Sequence, residues 1–137
     1  MTANPRLGLA VLLVTLAPAI APAQDAPPNP FDGRWATTVS CKAGTAYQFV
    51  TEVRDGILHG ISGTEGEPGY FQIDGKITPA GLGHVYAKGL ARKGTISGRD
   101  VAPGTEYKYY AQAKFERATG SGNRVGGSPC EFKFVKK

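Results

Sequence analysis

The chain has 137 residues, a formal net charge of +5 and an apolar fraction of 41%. Its basic residues are interleaved with acidic ones, which is typical of a solvated surface and argues against a nucleic-acid partner, because such partners need basic residues gathered on one face. This length predicts one domain with a single modest core.

Residues 1–23 have the three parts of a secretory signal peptide. A short first part contains one basic residue, an apolar run extends from Leu7 to Ile20, and Ala21-Pro22-Ala23 is a small-residue cleavage site. The apolar run is shorter than the roughly 20 residues that cross a bilayer as a helix. We therefore expect cleavage after Ala23, a periplasmic or secreted mature protein, and no membrane span.

Residues 24–30 are rich in proline and have no periodicity. This composition predicts an extended leader or a disordered tail ahead of the folded domain, which we place at 31–137.

The first strand follows the turn at Asp32-Gly33. From the single Trp onward, apolar and small residues alternate, so that Trp35, Thr37, Val39 and Cys41 share one face. The next strand spans 47–54 with its odd-numbered residues inward.

The Asp55-Gly56 pair predicts a type I′ hairpin, because both residues can adopt positive φ. Such a turn pairs Val53 with Leu58 and Thr51 with Gly60. It also directs Ile57 and Ile61 outward, and we therefore expect a bulge in the third strand, 57–63.

Further alternating runs predict strands at 70–78, 83–90, 95–97 and 107–116. Residues 100–105 are expected to form a loop, and the glycine-rich segment 120–127 a connection. The last strand starts at Cys130, with Phe132 and Phe134 on the same face.

Eight predicted strands and no helical periodicity indicate an all-β fold. We expect a small up-and-down antiparallel β-barrel, because closure removes the exposed edges of an open sheet; a two-sheet β-sandwich is the alternative. If the first and last strands pair with Cys41 opposite Cys130, Val39 meets Phe132. Two cysteines in an exported chain favour one disulfide, Cys41–Cys130.

Aromatic side chains dominate the predicted inward faces. An eight-stranded barrel is either filled by its side chains or just wide enough for one small ligand. The residues that would line a cavity are Trp35, Tyr47, Phe49, Phe71, Tyr107, Tyr109, Phe115 and Phe132.

The segments F-D-G-R-W, V-R-D-G-I-L-H-G, P-G-T-E-Y-K-Y and C-E-F-K-F-V-K resemble a group of small exported bacterial proteins with an F-D-G-x-W start. The resemblance covers the mature chain and implies a barrel, but it assigns no site residues, since no activity is established for that group. Gly33-Arg34-Trp35 is also similar to the G-x-W start of calycin-type barrels, namely lipocalins, avidins and bacterial metalloprotease inhibitors. That similarity implies that Trp35 packs across a closed end.

The sequence contains no pattern that indicates catalysis. His59 and His84 are not at metal-ligand spacing, and no phosphate-binding loop is present. We expect a monomeric, non-enzymatic module without a cofactor or metal, which binds a small apolar or planar ligand. The alternatives are a periplasmic protease inhibitor that inserts residues 24–30 into its target, and a purely structural envelope protein.

Overall fold

The computed structural model describes residues 2–3, 8, 10–18, 28–42, 44, 46–92, 94–96 and 99–137. Within them the regular structure consists of strands only. The strands are β1 (Gly33–Cys41), β2 (Ala46–Arg54), β3 (Ile57–Ser62), β4 (Phe71–Ile77), β5 (Leu82–Leu90), β6 (Gly94–Ile96), β7 (Arg99–Val101), β8 (Glu106–Glu116), β9 (Thr119–Arg124) and β10 (Cys130–Lys136).

Eight of these strands form a closed antiparallel barrel in the order β1-β10-β9-β8-β5-β4-β3-β2. The predicted small eight-stranded barrel is therefore confirmed over the β-sandwich. Most neighbours in the barrel are also neighbours in sequence. Between β5 and β8, strands β6 and β7 form a separate two-stranded sheet.

One of the eight predicted strands is not a barrel strand. Residues 94–96 pair with β7, part of which lies in the predicted loop 100–105, and Ser97 lies outside the described residues. Barrel strand β9 instead comes from a segment predicted as a connection. Its inward positions hold Gly120 and Gly122, so it shows no apolar alternation, and the aromatic ring of Phe115 on β8 covers Gly120.

The first and last strands close the barrel in the predicted register. Cys41 lies opposite Cys130, and Val39 opposite Phe132. The two cysteines form a disulfide that joins positions 89 residues apart in sequence. A covalent bond therefore connects the two strands at which the sheet closes on itself.

The β2–β3 hairpin has the predicted turn. Asp55 and Gly56 have φ values of 51° and 75°, and Val53 pairs with Leu58. The expected bulge in β3 is wrong: the strand pairs without interruption, and Ile57 and Ile61 are 50% and 45% exposed on the outer surface. Leu58 and Gly60 are buried on the inner face of β3, so the strand keeps the predicted facing with both isoleucines outward.

Aromatic rings fill much of the barrel interior. Inward glycines leave space that neighbouring rings occupy: a Cβ at Gly60 would lie 2.9 Å from Phe49, and one at Gly89 would lie 2.6 Å from the Tyr107 ring. This arrangement lets small and large side chains alternate around a narrow barrel. The largest fully buried side chains are Trp35, Phe71, Phe132, Phe134, Leu58 and Ile73.

The part of the N-terminal apolar run that the structure describes, residues 8 and 10–18, has no regular secondary structure, and its large side chains are exposed. The predicted cleavage site at 21–23 and residues 24–27 of the leader lie outside the described residues. None of the described segments is a helix with the length and hydropathy that crossing a membrane requires.

Candidate functional site

The barrel has one end that its own chain covers. The Trp35 indole is wholly buried there, donates a hydrogen bond from Nε1 to the Phe31 carbonyl at 2.9 Å, and contacts the Phe115 ring edge-on at 5.3 Å. Phe31 packs on Phe115 as well, with ring centroids 5.9 Å apart. We call this the Trp35 end.

Residues 29–32 are fixed to the Trp35 end by hydrogen bonds. The Asn29 amide donates to the Ile77 carbonyl at 2.7 Å, and the Asp32 carboxylate accepts the backbone N–H groups of Asp55 and Gly56, each at 3.0 Å. These bonds connect residues 29–32 to the end of β4 at Ile77 and to the 55–56 turn. Residues 29–32 therefore lie across this end of the barrel.

The opposite end, where the disulfide lies, presents a row of aromatic rings. Tyr47 stacks on Phe71 with centroids 4.3 Å apart, and Phe71 is 6.5 Å from Tyr107, which stacks on Tyr109 at 6.3 Å. Tyr47 and Tyr109 are buried, whereas Tyr107 is only partly so. Solvent therefore reaches the row at Tyr107, between the buried rings of Phe71 and Tyr109.

Two arginines lie over this row. The Arg92 guanidinium is 5.4 Å from the centroid of Tyr47, and that of Arg124 is 4.6 Å from the centroid of Tyr109. Both distances are within the range of a cation–π interaction. We define the mouth cluster as Tyr47, Tyr107, Tyr109, Arg92 and Arg124.

Two of the mouth hydroxyls, those of Tyr107 and Tyr109, have a raised pKa and stay protonated at neutral pH. Burial, together with the hydrogen bond to Tyr47, raises the pKa of Tyr107 well above its ordinary value, and burial raises the pKa of Tyr109 although Arg124 opposes the shift. The Tyr47 and Tyr107 hydroxyls are 2.8 Å apart. One of them donates to the other, so the acceptor of that pair keeps its own hydrogen for another partner.

The Arg124 side chain also holds an unused donor. Its Nε is buried and has no hydrogen-bond partner among the described residues. Part of the guanidinium rests against Gly127, where a Cβ would lie 2.6 Å from one terminal nitrogen. The backbone of the β9–β10 connection thus holds this group over the tyrosine row.

The structure separates the predicted cavity residues into two groups. Tyr47, Phe71, Tyr107 and Tyr109 come together at the mouth, with Phe49 on the edge of Phe71 at 5.8 Å. Trp35 and Phe115 lie at the Trp35 end instead. Phe132 links the groups, 6.2 Å from Tyr109 and, through Phe134, connected to Phe115.

Sequence reasoning did not identify the two arginines. Arg124 occupies the third inward position of β9. Because the sequence predicts this segment as a connection, it does not predict which way the Arg124 side chain points. Arg92 lies two residues after the end of β5, in a connection without periodicity. In the sequence, only the alternation of Gly120, Gly122 and Arg124 indicates that Arg124 could share an inward face with the two glycines.

The histidines are placed on the outer surface. His59 is hydrogen-bonded through Nδ1 to Asp74 at 2.6 Å, and both side chains are exposed. The described residues contain no group of three His, Cys, Asp or Glu side chains that could hold a metal ion.

The fold and the site define a closed, eight-stranded antiparallel β-barrel with an intramolecular disulfide, one covered end and one aromatic end flanked by arginines. Comparison of the chain with protein families, with curated proteins and with solved structures found no match.

Proposed function

We propose that this protein is a non-enzymatic binding module that holds a small planar anion at its mouth cluster. The observation that carries the proposal is the difference between the two ends. The Trp35 end is covered by residues 29–32, whereas the mouth combines stacked aromatic rings with donor groups.

The polar groups of the mouth cluster select for an acceptor. A guanidinium has five N–H donors and no acceptor, and the hydroxyl pair of Tyr47 and Tyr107 has one hydrogen beyond the one that joins the pair. Carboxylate, sulfonate and phosphate groups are the acceptors that arginine binds most strongly. A ligand with such a group would pair its negative charge with Arg92 or Arg124.

The aromatic row favours a flat molecule. Tyr107 and Tyr109 are parallel within 10°, and planar ligands stack on rings of this kind. Because aromatic side chains occupy the interior below, the ligand would lie at the rim and not deep in the barrel.

The disulfide supports the export part of the proposal. Disulfides persist in oxidising compartments such as the periplasm and the extracellular space. The Cys41–Cys130 bond and the N-terminal sequence pattern are consistent with a periplasmic or secreted protein.

The F-D-G-x-W resemblance also remains a proposal, and the geometry gives its residues physical roles. Phe31 and Trp35 cover the barrel end, and Asp32 caps the 55–56 turn. Gly33 has a φ of 136°, which non-glycine residues rarely adopt, and a Cβ there would lie 3.2 Å from Lys136. Each residue of the motif therefore contributes to closing one end.

The proposal is tested by titrating the protein with 2-naphthoate and following backbone and arginine side-chain NMR signals. We expect shifts confined to the mouth cluster, with the Trp35 indole signal unchanged because that ring lies at the other end. Loss of one charge-assisted hydrogen bond weakens binding roughly 10- to 100-fold, so Arg124→Gln should raise Kd by that factor.

The controls separate charge from ring stacking. Lys133 on β10 is exposed, and its Nζ lies 3.8 Å from the Glu131 carboxylate. Lys133→Gln removes this positive charge and should leave binding of 2-naphthoate unchanged. Neutral 2-naphthamide should bind more weakly than 2-naphthoate. If 2-naphthoate binds wild type and the Arg92→Gln/Arg124→Gln variant equally, or does not bind wild type, the mouth is not an anion site.

Protease inhibition is a second candidate that one observation favours. The hydrogen bonds of Asn29 and Asp32 fix the point at which the leader joins the barrel, and a proline-rich segment such as the leader loses less entropy on insertion into a cleft. Deleting residues 24–28 leaves these bonds in place. Inhibition of a secreted metalloprotease that disappears with this deletion would establish the inhibitor, whereas absence of both ligand binding and inhibition would favour a structural role.

A further inference from the structure

The outer wall of the barrel carries a second aromatic feature that the mouth cluster does not include. Tyr86 on β5 and Tyr110 on β8 are directly paired across the ladder, and their ring centroids are 5.3 Å apart. Tyr110 is 66% exposed. The two ring planes are inclined at 54° to each other, so they offer two separate surfaces for stacking and not one continuous plane.

The adjacent row on the same face holds two positive charges. Lys88 and Lys108 are direct cross-strand partners, and both are exposed. Like charges at directly opposite positions, with Cβ atoms about 5 Å apart, destabilise a sheet unless an anion lies between them. Within the described part of the chain, neither ammonium group has a carboxylate oxygen within 4 Å.

Two grooves meet at this surface. One, of about 720 Å³, extends from Ile57 and Val125 to Tyr86 and Tyr110. The other, of about 580 Å³, continues from Tyr86 past Lys88 and Lys108 toward the mouth, where Glu65 and Glu106 form its far edge. Because Tyr86 borders both, they form one elongated channel on the outer wall.

Polar side chains border the tyrosine pair as well. Asp74 lies opposite Tyr86 on β4, and His84 is paired with Gln112 in the row on the other side of the tyrosines. The Asp74 carboxylate already accepts from the His59 ring and the Gln72 amide, so His84 and Gln112 supply the donors and acceptors here. Residues 84 to 88 span about 13 Å along the strand, since each residue advances about 3.3 Å.

We propose that this outer surface, defined by Tyr86, Tyr110, Lys88 and Lys108, binds an acidic polysaccharide. Sugar rings stack their C–H faces on Tyr86 and Tyr110, and the His84 and Gln112 side chains bond sugar hydroxyls. A carboxylate of a neighbouring sugar lies between Lys88 and Lys108, which relieves their repulsion.

Charge and shape favour a glycan over other polymers. Glu65 and Glu106 at the edge of the channel would repel the phosphates of a nucleic acid, whereas the hydroxyl groups of a sugar can donate hydrogen bonds to these carboxylates. A second copy of the chain that bound through the same face would bring its own lysine pair against Lys88 and Lys108, and these like charges would repel each other. The combination of ring faces, mixed hydrogen-bonding groups and two cations in one channel fits sugars that carry carboxylates.

The test is isothermal titration calorimetry of the full-length mature protein with oligogalacturonate of six sugar units, in 20 mM and 300 mM salt. We expect binding at low salt that weakens at high salt. Maltohexaose, a neutral oligomer of the same length, should bind at least tenfold more weakly.

Matched variants assign the contacts. Tyr110→Ala alters a side chain that is two-thirds exposed, so the barrel should fold, and Kd should rise at least tenfold. Lys88→Gln/Lys108→Gln should have a similar effect, whereas Lys114→Gln on the same strand and Arg124→Gln at the mouth should have none. Retained binding in Arg124→Gln separates this site from the proposed function.

Three results would overturn the proposal. Undiminished binding by Tyr110→Ala would show nonspecific attraction between charges. Equal binding to vesicles that contain phosphatidylglycerol would indicate a general anion surface. A monomer–dimer shift in analytical ultracentrifugation that Tyr110→Ala abolishes would make this face a self-association interface.

Discussion

At the scale of single residues, two buried threonines connect β1 to β2 inside the barrel. The hydroxyls of Thr37 and Thr51 are 2.8 Å apart, and Thr37 also donates to the Trp35 carbonyl at 3.3 Å. With the Thr37 hydrogen used in this way, Thr51 donates to Thr37. Both side chains are almost completely buried, so water cannot replace a lost partner.

This direction of donation predicts unequal effects of two similar substitutions. Thr37→Val leaves the Thr51 O–H without an acceptor in the core and should lower the free energy of unfolding by about 1–3 kcal/mol. Thr51→Val should cost less, because the Thr37 hydrogen keeps its bond to the Trp35 carbonyl. Urea denaturation of both variants measures the difference.

The double variant Thr37→Val/Thr51→Val serves as the control for the hydroxyl pair. It removes donor and acceptor together and should be more stable than Thr37→Val alone, since no polar group is left unpaired. Additive losses in the double variant would mean that the two hydroxyls act independently.

At the scale of elements, β9 is a barrel strand that contains no large apolar residue. Its pairing with β8 places Gly122 opposite Ala113 and Gly120 opposite Phe115. A Cβ at Gly122 would lie 2.6 Å from the Gln112 carbonyl oxygen and 2.8 Å from the Ala113 Cβ. The position of β9 is therefore set by the close approach of β8 to its glycines, and not by apolar side chains of β9 itself.

Gly122→Ala should lower the free energy of unfolding by about 1–3 kcal/mol, because the backbone of β8 has to move to admit the methyl group. Ser121→Ala on the same strand faces outward and provides the matched control, with an expected change within about 0.5 kcal/mol. Chemical denaturation of the two variants decides whether β9 packs this closely.

Strands whose inward residues are apolar could be predicted from sequence, and those without them could not. Period-2 alternation located β1 through β5, β8 and β10, and the Asp55-Gly56 turn fixed the pairing of Val53 with Leu58. β9 was missed because glycine at its inward positions carries no hydrophobic signal. Aromatic residues of the candidate site were predicted, but their separation into two ends depends on pairing across the closed barrel.

At the scale of the whole molecule, the disulfide stabilises the seam between β1 and β10. Seven residue pairs join these strands, from Trp35 and Lys136 to Cys41 and Cys130. Closing a loop of 89 residues is worth about 4–5 kcal/mol in the chain-entropy model, which is an upper value.

Cys41→Ala/Cys130→Ala should therefore lower the free energy of unfolding by up to about 4–5 kcal/mol while far-ultraviolet circular dichroism still shows a β-structure. Guanidinium denaturation with and without dithiothreitol measures the effect. Dithiothreitol should destabilise wild type but not the double variant. Equal stability of reduced and oxidised wild type would contradict a stabilising role of the bond.

Closure by the first and last barrel strands also has a consequence for the order of folding. Most hairpins of the barrel join neighbouring segments, and their contacts can form locally, whereas the β1–β10 ladder has to bring together segments far apart in sequence. Loop-closure entropy makes such long-range pairing slow. Until the β1–β10 ladder forms, each of these strands has one edge of unpaired backbone donors and acceptors. A partly folded barrel is therefore most prone to pair with another chain at these two edges.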